Sequence, residues 1–297
     1  MTARTPNVFI VGAGRVATAL GGALRHAGVP VLGLFGRRAA AVRTAAGIAG
    51  VAGFSAAPPD LLLEADAVIV AVRDDAVAQV ARTLVETGFL TPRHVLLHCS
   101  GGVAAADAFG EAAARVGGVG TLHPLRAIVD PRQAAHSLKG TTFGIEGNEA
   151  GRAMAQALVG WLGGVALDVE GEGMALYHAA ASIASNYLVA LFDAAGRALS
   201  AAGVPGDAGH ALLPLVHSTL ENIEKAGIPR ALTGPIARGD VTTVERHLAA
   251  LRSRAAELVP LYQILGQRAV ALARDKGEAR PEDLDAIAAL VATGPVS

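Results

Sequence analysis

The segment Val8–Ala17 limits what this chain can fold into more than any other. Val8-Phe9-Ile10-Val11 is an apolar run of strand length, Gly12 to Ala17 spell a Gly-x-Gly-x-x-Ala turn, and a helical pattern runs from Ala13 to Ala27. Glycine at 12 permits a tight turn, glycine at 14 lets backbone approach a pyrophosphate, and the small Ala17 lets helix and strand pack closely. The start of the helix would turn its N–H groups toward phosphate oxygens. Gly12, Ala13, Gly14, Arg15 and Val16 are therefore candidate dinucleotide contacts.

The rest of the first half repeats this alternation. Apolar runs at Pro30–Phe35, Ala67–Val72, His94–His98, Thr142–Ile145 and Val165–Val169 read as strands, with helical patterns at Arg38–Ala46 and Glu149–Leu162. Such alternation implies βαβ units and a mostly parallel sheet. Beyond Gly173 the strand signal fades. Met174–Ser200 reads as one long helix stopped by Ala-Gly-Val-Pro-Gly, and helical patterns follow at 207–226, 241–251, 255–275 and 281–292. The expected domains are residues 1–170, binding the nucleotide, and 171–297, helical, for substrate and dimer contacts.

The end of the second strand selects between cofactors. An acid there would accept from a ribose 2′-hydroxyl, whereas Gly36-Arg37-Arg38 carries two guanidiniums suited to a 2′-phosphate. NADP(H) is thus expected over NAD. Val72 ends a buried strand on the ligand side of such sheets, and Ser100 and Gly101 follow another, so all three join the cofactor candidates; Asp74 or Asp75 reads as a helix cap. His178, Ser182 and Asn186 are spaced i, i+4, i+8 and would share one helix face. Asn186 could donate to a developing oxyanion, and the imidazole of His178 could supply a proton. His123, held extended by Pro124 in a loop, could present its ring to a cleft. Thr233 and Arg238 are the substrate candidates, Arg238 as a carboxylate clamp, while Asp240 reads as the N-cap of the next helix. His98 reads as a satisfied core histidine and Cys99 as structural.

These landmarks resemble a bacterial family of Rossmann-like oxidoreductases with a C-terminal domain of unknown function, similar to ketopantoate reductase, pyrroline-5-carboxylate reductase and the 6-phosphogluconate dehydrogenase superfamily. The resemblance covers about residues 7–265 and is carried by Val11-Gly-Ala-Gly-Arg-Val, Leu97-His-Cys-Ser-Gly, Leu122-His-Pro-Leu-Arg, Tyr177-His-Ala-Ala-Ala-Ser-Ile-Ala-Ser-Asn and Leu232-Thr-Gly-Pro-Ile-Ala-Arg-Gly-Asp. It implies an α/β fold: a Rossmann-type sheet followed by an all-α domain like the C-terminal domain of 6-phosphogluconate dehydrogenase. It also implies a cofactor more firmly than a reaction. Better-understood relatives place a Lys four residues ahead of the Asn on the long helix. This chain has Ser182 there, so a lysine acid is in doubt.

Composition narrows the remaining classes. A net charge of -1 argues against nucleic-acid or anionic-membrane partners, and a single cysteine excludes an internal disulfide. The histidines show no close ligand pair, so no metal is expected. Met1–Pro6 does not read as a signal peptide, which makes the cytoplasm the expected location. Met174–Phe192 lacks formal charge, but His178, Ser182, Ser185 and Asn186 favour a helix buried inside protein over a membrane span. The expected function is an NADP(H)-dependent reductase of a small carboxylate-bearing carbonyl compound, acting as a homodimer. The alternatives are an imine reductase and a non-catalytic NADP(H)-binding regulator.

Overall fold

Strand β1 (Val8–Val11) sends Val8 and Ile10 to one face of a sheet and Phe9 and Val11 to the other, and all four are buried. A strand buried on both faces must be apolar throughout, hence the unbroken runs in the sequence. The computed structural model describes residues 4–136, 138–207 and 209–292. Within it the chain divides into two units between Ser185 and Asn186.

In the first unit β1 is joined by β2 (Val31–Phe35), β3 (Gly53–Phe54), β4 (Ala67–Val70), β5 (Val95–His98), β6 (Gly118–Pro124), β7 (Thr142–Gly147) and β8 (Val165–Asp168). The sheet order is β3-β2-β1-β4-β5-β6-β7-β8. All neighbours pair in parallel except β6 and β7, which are antiparallel with Thr121 opposite Glu146 and His123 opposite Gly144. His123 is therefore a residue of β6, not of a loop as expected. The strand continues through Pro124 because a partner supplied by residues some twenty positions later pairs with it.

Helices α1 (Arg15–His26), α2 (Ala39–Ala49), α3 (Val77–Glu86), α4 (Ala105–Phe109), α5 (Pro131–His136), α6 (Glu149–Trp161) and α7 (Met174–Ala184) complete the unit. Leu20 and Leu24 of α1, Val42 of α2 and Leu158 of α6 fill one face of the sheet; Leu84 of α3 and Phe109 of α4 fill the other. Helix α6 is tied to the sheet at its start. The Asn148 Oδ1 accepts from the Gly151 N–H at 3.0 Å and from the Val119 N–H of β6 at 3.1 Å.

The second unit holds α8 (Asn186–Ala201), α9 (Leu213–Ala226), the short α10 (Ile228–Ala231), α11 (Val241–Arg254), α12 (Val259–Lys276) and α13 (Pro281–Leu290). Val244, Leu248, Val270, Ala273, Leu284, Ile287 and Val291 form its core, drawn from α11 to α13 and the residue after them. The Asp240 carboxylate caps α11, accepting from the Thr243 N–H at 3.1 Å.

Two expectations for the long helix are corrected. It is two helices, α7 and α8, parted at Ser185, whose φ of -116° departs from the helical value while ψ is -68°. Nor is it buried. The stretch Gly171–Ala201 is long and apolar enough to cross a membrane, and none of its most apolar window is buried in the chain. Neither α8 nor α9 contributes a buried residue.

The Asn148 cap gives a direct check on the sheet–helix join. Asn148→Ala removes the acceptor for two backbone N–H groups, a loss of about 1–2 kcal/mol. Thermal melting should show a Tm lower by several degrees, and an unchanged Tm would contradict the cap.

Candidate functional site

Gly12 has φ +141°, a conformation that favours glycine, and a Cβ there would overlap the Ala71 carbonyl oxygen at the end of β4. The turn is thereby pressed against β4. Gly14 is different: a Cβ there would meet nothing within 4 Å, so the fold itself does not require its bareness. Its open backbone is what a phosphate-binding turn needs. Helix α1 starts with Gly14 as its N-cap and has no side-chain cap and no acid in its first turn, so its positive end is left to a ligand.

A cleft of about 720 Å³ opens in front of this turn. Its lining includes Gly12 to Val16, Gly36 to Arg38 at the end of β2, Val72 to Asp74 after β4, and Cys99 after β5. The volume falls within the range of small-molecule and cofactor sites. Eight of the sequence candidates, Gly12, Ala13, Gly14, Arg15, Val16, Arg37, Arg38 and Val72, thus meet in one cavity. Arg15, Arg37 and Arg38 are solvent-exposed, and among the described residues none has a carboxylate partner. Ser100 and Gly101 are both buried beside the cleft, but neither lines it; Cys99 does. Desolvation pushes the Cys99 thiol up to about 12, so it is no nucleophile. Asp74 and Asp75 cap nothing through their side chains. Asp75 pairs with Arg73, and Asp74 faces the cleft.

A polar cluster lies where β5 and β6 end and α7 begins. The His123 Nδ1 and the Tyr177 hydroxyl are hydrogen-bonded at 2.8 Å, and the His178 ring stands edge-on to His123 with centroids 5.8 Å apart. Gly101 sits so close that a Cβ would come within 2.8 Å of the His123 ring. Burial, then the neighbouring His178, holds His123 down to about 4, while burial pushes Tyr177 up to about 12. At neutral pH both are uncharged. His178 is exposed and Ser182 half-buried, and their side chains make no hydrogen bond among the described residues. Asn186 opens α8, in the other unit, and is exposed with its amide likewise unbonded. They do not form an inert hydrogen-bonded seam.

His98, fully buried, bonds to the Ser100 N–H and to Thr121, whose hydroxyl reaches the buried Glu146. Tyr177, Thr121 and Glu146 are site residues without a role in the sequence reading, and Asp74, read there as a helix cap, faces the cleft instead. Only Glu146 carried a signal, as a charged residue inside the apolar run of β7.

In the second unit Thr233 borders an apolar cavity of about 400 Å³ lined by residues of α8, α11 and α12. Arg238 ends a short 3-10 turn, faces solvent, and does not line that cavity. The two substrate candidates are therefore not brought together.

Residues 141–269 match the family described as Domain of unknown function (DUF2520). No curated protein matches the chain. In fold the chain is similar to protein TM1727 of Thermotoga maritima, at 24% identity and TM-score 0.72, with 91% of this chain and 99% of that one covered. It is also similar to a candidate NADP oxidoreductase of Bacteroides fragilis, at 23% identity and TM-score 0.68 over 92% and 98%. An imine reductase of Aspergillus terreus, in complex with NADPH4 and dibenz[c,e]azepine, matches at 19% identity and TM-score 0.57 over 95% and 99%. The chain is thus similar to DUF2520 over residues 141–269 and has the Rossmann-type fold followed by a helical C-terminal part.

The depressed histidines make stability depend on pH. His98 and His123 sit at about 4 in the fold against 6.5 for the free side chain. From pH 6.5 down to 4 the unfolded chain binds protons that the folded chain refuses, so stability is full above this window and falls within it. Tm should drop as pH is lowered from 7 to 4, less steeply in His123→Asn. An equal slope in that variant would contradict a neutral, buried His123.

Proposed function

We propose that this protein is an NADP(H)-dependent oxidoreductase that reduces a small carbonyl or imine compound. The observation that carries the reading is the cleft at the Gly12–Val16 turn, rimmed by three guanidiniums that have no carboxylate partner among the described residues. Arg37 and Arg38 would hold a 2′-phosphate through charge-assisted bonds, and the start of α1 with the bare backbone of Gly14 would hold the pyrophosphate. The fold relatives support this choice of cofactor, since one is a candidate NADP oxidoreductase and another binds NADPH4. When bound, NADPH supplies a hydride.

The acceptor must then be oriented and protonated. A histidine at about 4 is neutral at pH 7 and is a poor acid, so His123 serves with Tyr177 as an uncharged hydrogen-bonding pair. The proton donor is His178, which is exposed and free of hydrogen bonds, with Asn186 donating to the developing negative charge and Ser182 lending a hydroxyl. The expected carboxylate clamp loses ground because Arg238 stands outside the apolar cavity. Reduction of an imine, the second reading, is favoured by the relative that carries an azepine. A pure NADP(H) sensor would use the same cleft without turnover.

Leu176 and Ile183 of α7 are 76% and 61% exposed in the first unit, and Tyr187 and Val189 of α8 are 63% and 71% exposed in the second; large apolar side chains left open in this way suit an interaction surface. The same stretch contains Asp193 and Arg197 besides its other polar residues, which suits a protein partner better than lipid. We therefore propose a homodimer in which the second copy covers these exposed side chains.

Three measurements follow. The double variant Arg37→Ala/Arg38→Ala should weaken NADPH binding by roughly tenfold or more and leave NADH binding nearly unchanged; equal losses would remove the 2′-phosphate assignment. In a screen of 2-oxo acids and cyclic imines with NADPH, His178→Ala should cut turnover by about a hundredfold while NADPH affinity holds. No turnover with any acceptor in the native protein would favour the sensor. Sedimentation should give twice the 29.9 kDa chain mass, and Val189→Glu should shift it toward monomer.

A further inference from the structure

Three side chains cross the sheet beside the cleft in a single register. His98 pairs with Thr121, and Thr121 with Glu146, so the three lie on neighbouring strands β5, β6 and β7 at one level. Each is buried: His98 and Thr121 fully, Glu146 with 7% exposed. Buried polar groups on this scale must be bonded or they destabilise the fold.

The direction of every bond follows from the two ends. A backbone N–H can only donate, so the Ser100 N–H at 3.1 Å leaves His98 Nδ1 as an acceptor. Burial holds His98 down to about 4, so the ring is neutral and its one proton sits on Nε2. That proton goes to the Thr121 Oγ1 at 3.0 Å, and the Thr121 hydroxyl donates in turn to Glu146 Oε2 at 3.1 Å. The same oxygen accepts from the Ala105 N–H at 2.7 Å. The chain of bonds therefore begins and ends on backbone N–H groups that flank the segment 100–104.

This segment joins β5 to α4, follows directly on Cys99 in the cleft wall, and packs Gly101 against His123 and Gly102 against His178. We infer that His98, Thr121 and Glu146 form a positioning relay that clamps the 99–104 loop at both ends and so sets the spacing between the cleft wall and the His123–Tyr177–His178 cluster. Thr121 is the link: it alone bonds to both of the other two, accepting from His98 and donating to Glu146. None of the three needs to touch substrate. The consequence for turnover rests on the reductase reading, whereas the clamp itself does not.

The test compares Thr121→Val, which keeps shape and loses the hydroxyl, with Thr121→Ser, which keeps it, in the full-length protein. Amide hydrogen exchange at Ser100 and Ala105 should speed by roughly tenfold or more in Thr121→Val and return to within about threefold of native in Thr121→Ser. Exchange in β1 should not change. With an active acceptor, kcat should fall by about tenfold in Thr121→Val with KM for NADPH nearly constant, and recover in Thr121→Ser. Unchanged exchange at Ser100 and Ala105, or equal acceleration across β1, would overturn the relay. If the native protein turns over nothing, the reductase reading fails while exchange still decides the clamp.

Discussion

The site depends on the close pairing of β1 with β4 at the middle of the sheet. Val8–Val11 runs beside Ala67–Val70 in uninterrupted register, and Gly12 then fits against the Ala71 carbonyl with no room for a side chain. From β1 the sheet grows toward β2 on one side and toward β4 on the other, so the loops leaving β1 and β4 diverge. A crevice at such a switch point is the ordinary ligand site of open α/β sheets, and the cleft lined by Gly12, Arg37 and Val72 lies there. Buried apolar strands hold the frame, and the cleft opens at the carboxyl ends of β1, β2, β4 and β5.

Electrostatics divides that edge into two regions. Around the turn, exposed guanidiniums and the positive end of α1 face the cleft, where solvent screens them until an anion arrives. Toward β5 and β6 the groups are desolvated instead. His98 and His123 are held neutral, and the Cys99 thiol and Tyr177 hydroxyl stay protonated. One region is built to attract charge, the other to keep hydrogen bonds fixed without it.

Local pattern made much of this legible in the sequence. The β1 strand, its glycine turn and α1 are contiguous, and β2 with Arg37 and Arg38 follows within a few residues, so periodicity and turn chemistry sufficed. Asp240 as a cap and His98 as a bonded core residue were also local inferences. What failed involved distant partners. His123 is strand because residues 142–147 pair with it, and its bond to Tyr177 spans 54 positions. Glu146 and Thr121 meet only through the β6–β7 register. The apolar stretch 174–201 could not reveal its own surroundings, because composition is the same whether a helix is covered by its own chain, a second copy or lipid.

The central claim, that the β1–α1 turn binds NADP(H), is tested most directly by mapping amide exchange with and without NADPH. Added NADPH should protect residues 12–16, 36–38 and 72–74 and leave the apolar cavity bordered by Thr233 unchanged. Protection around that cavity alone, or none anywhere, would contradict the account.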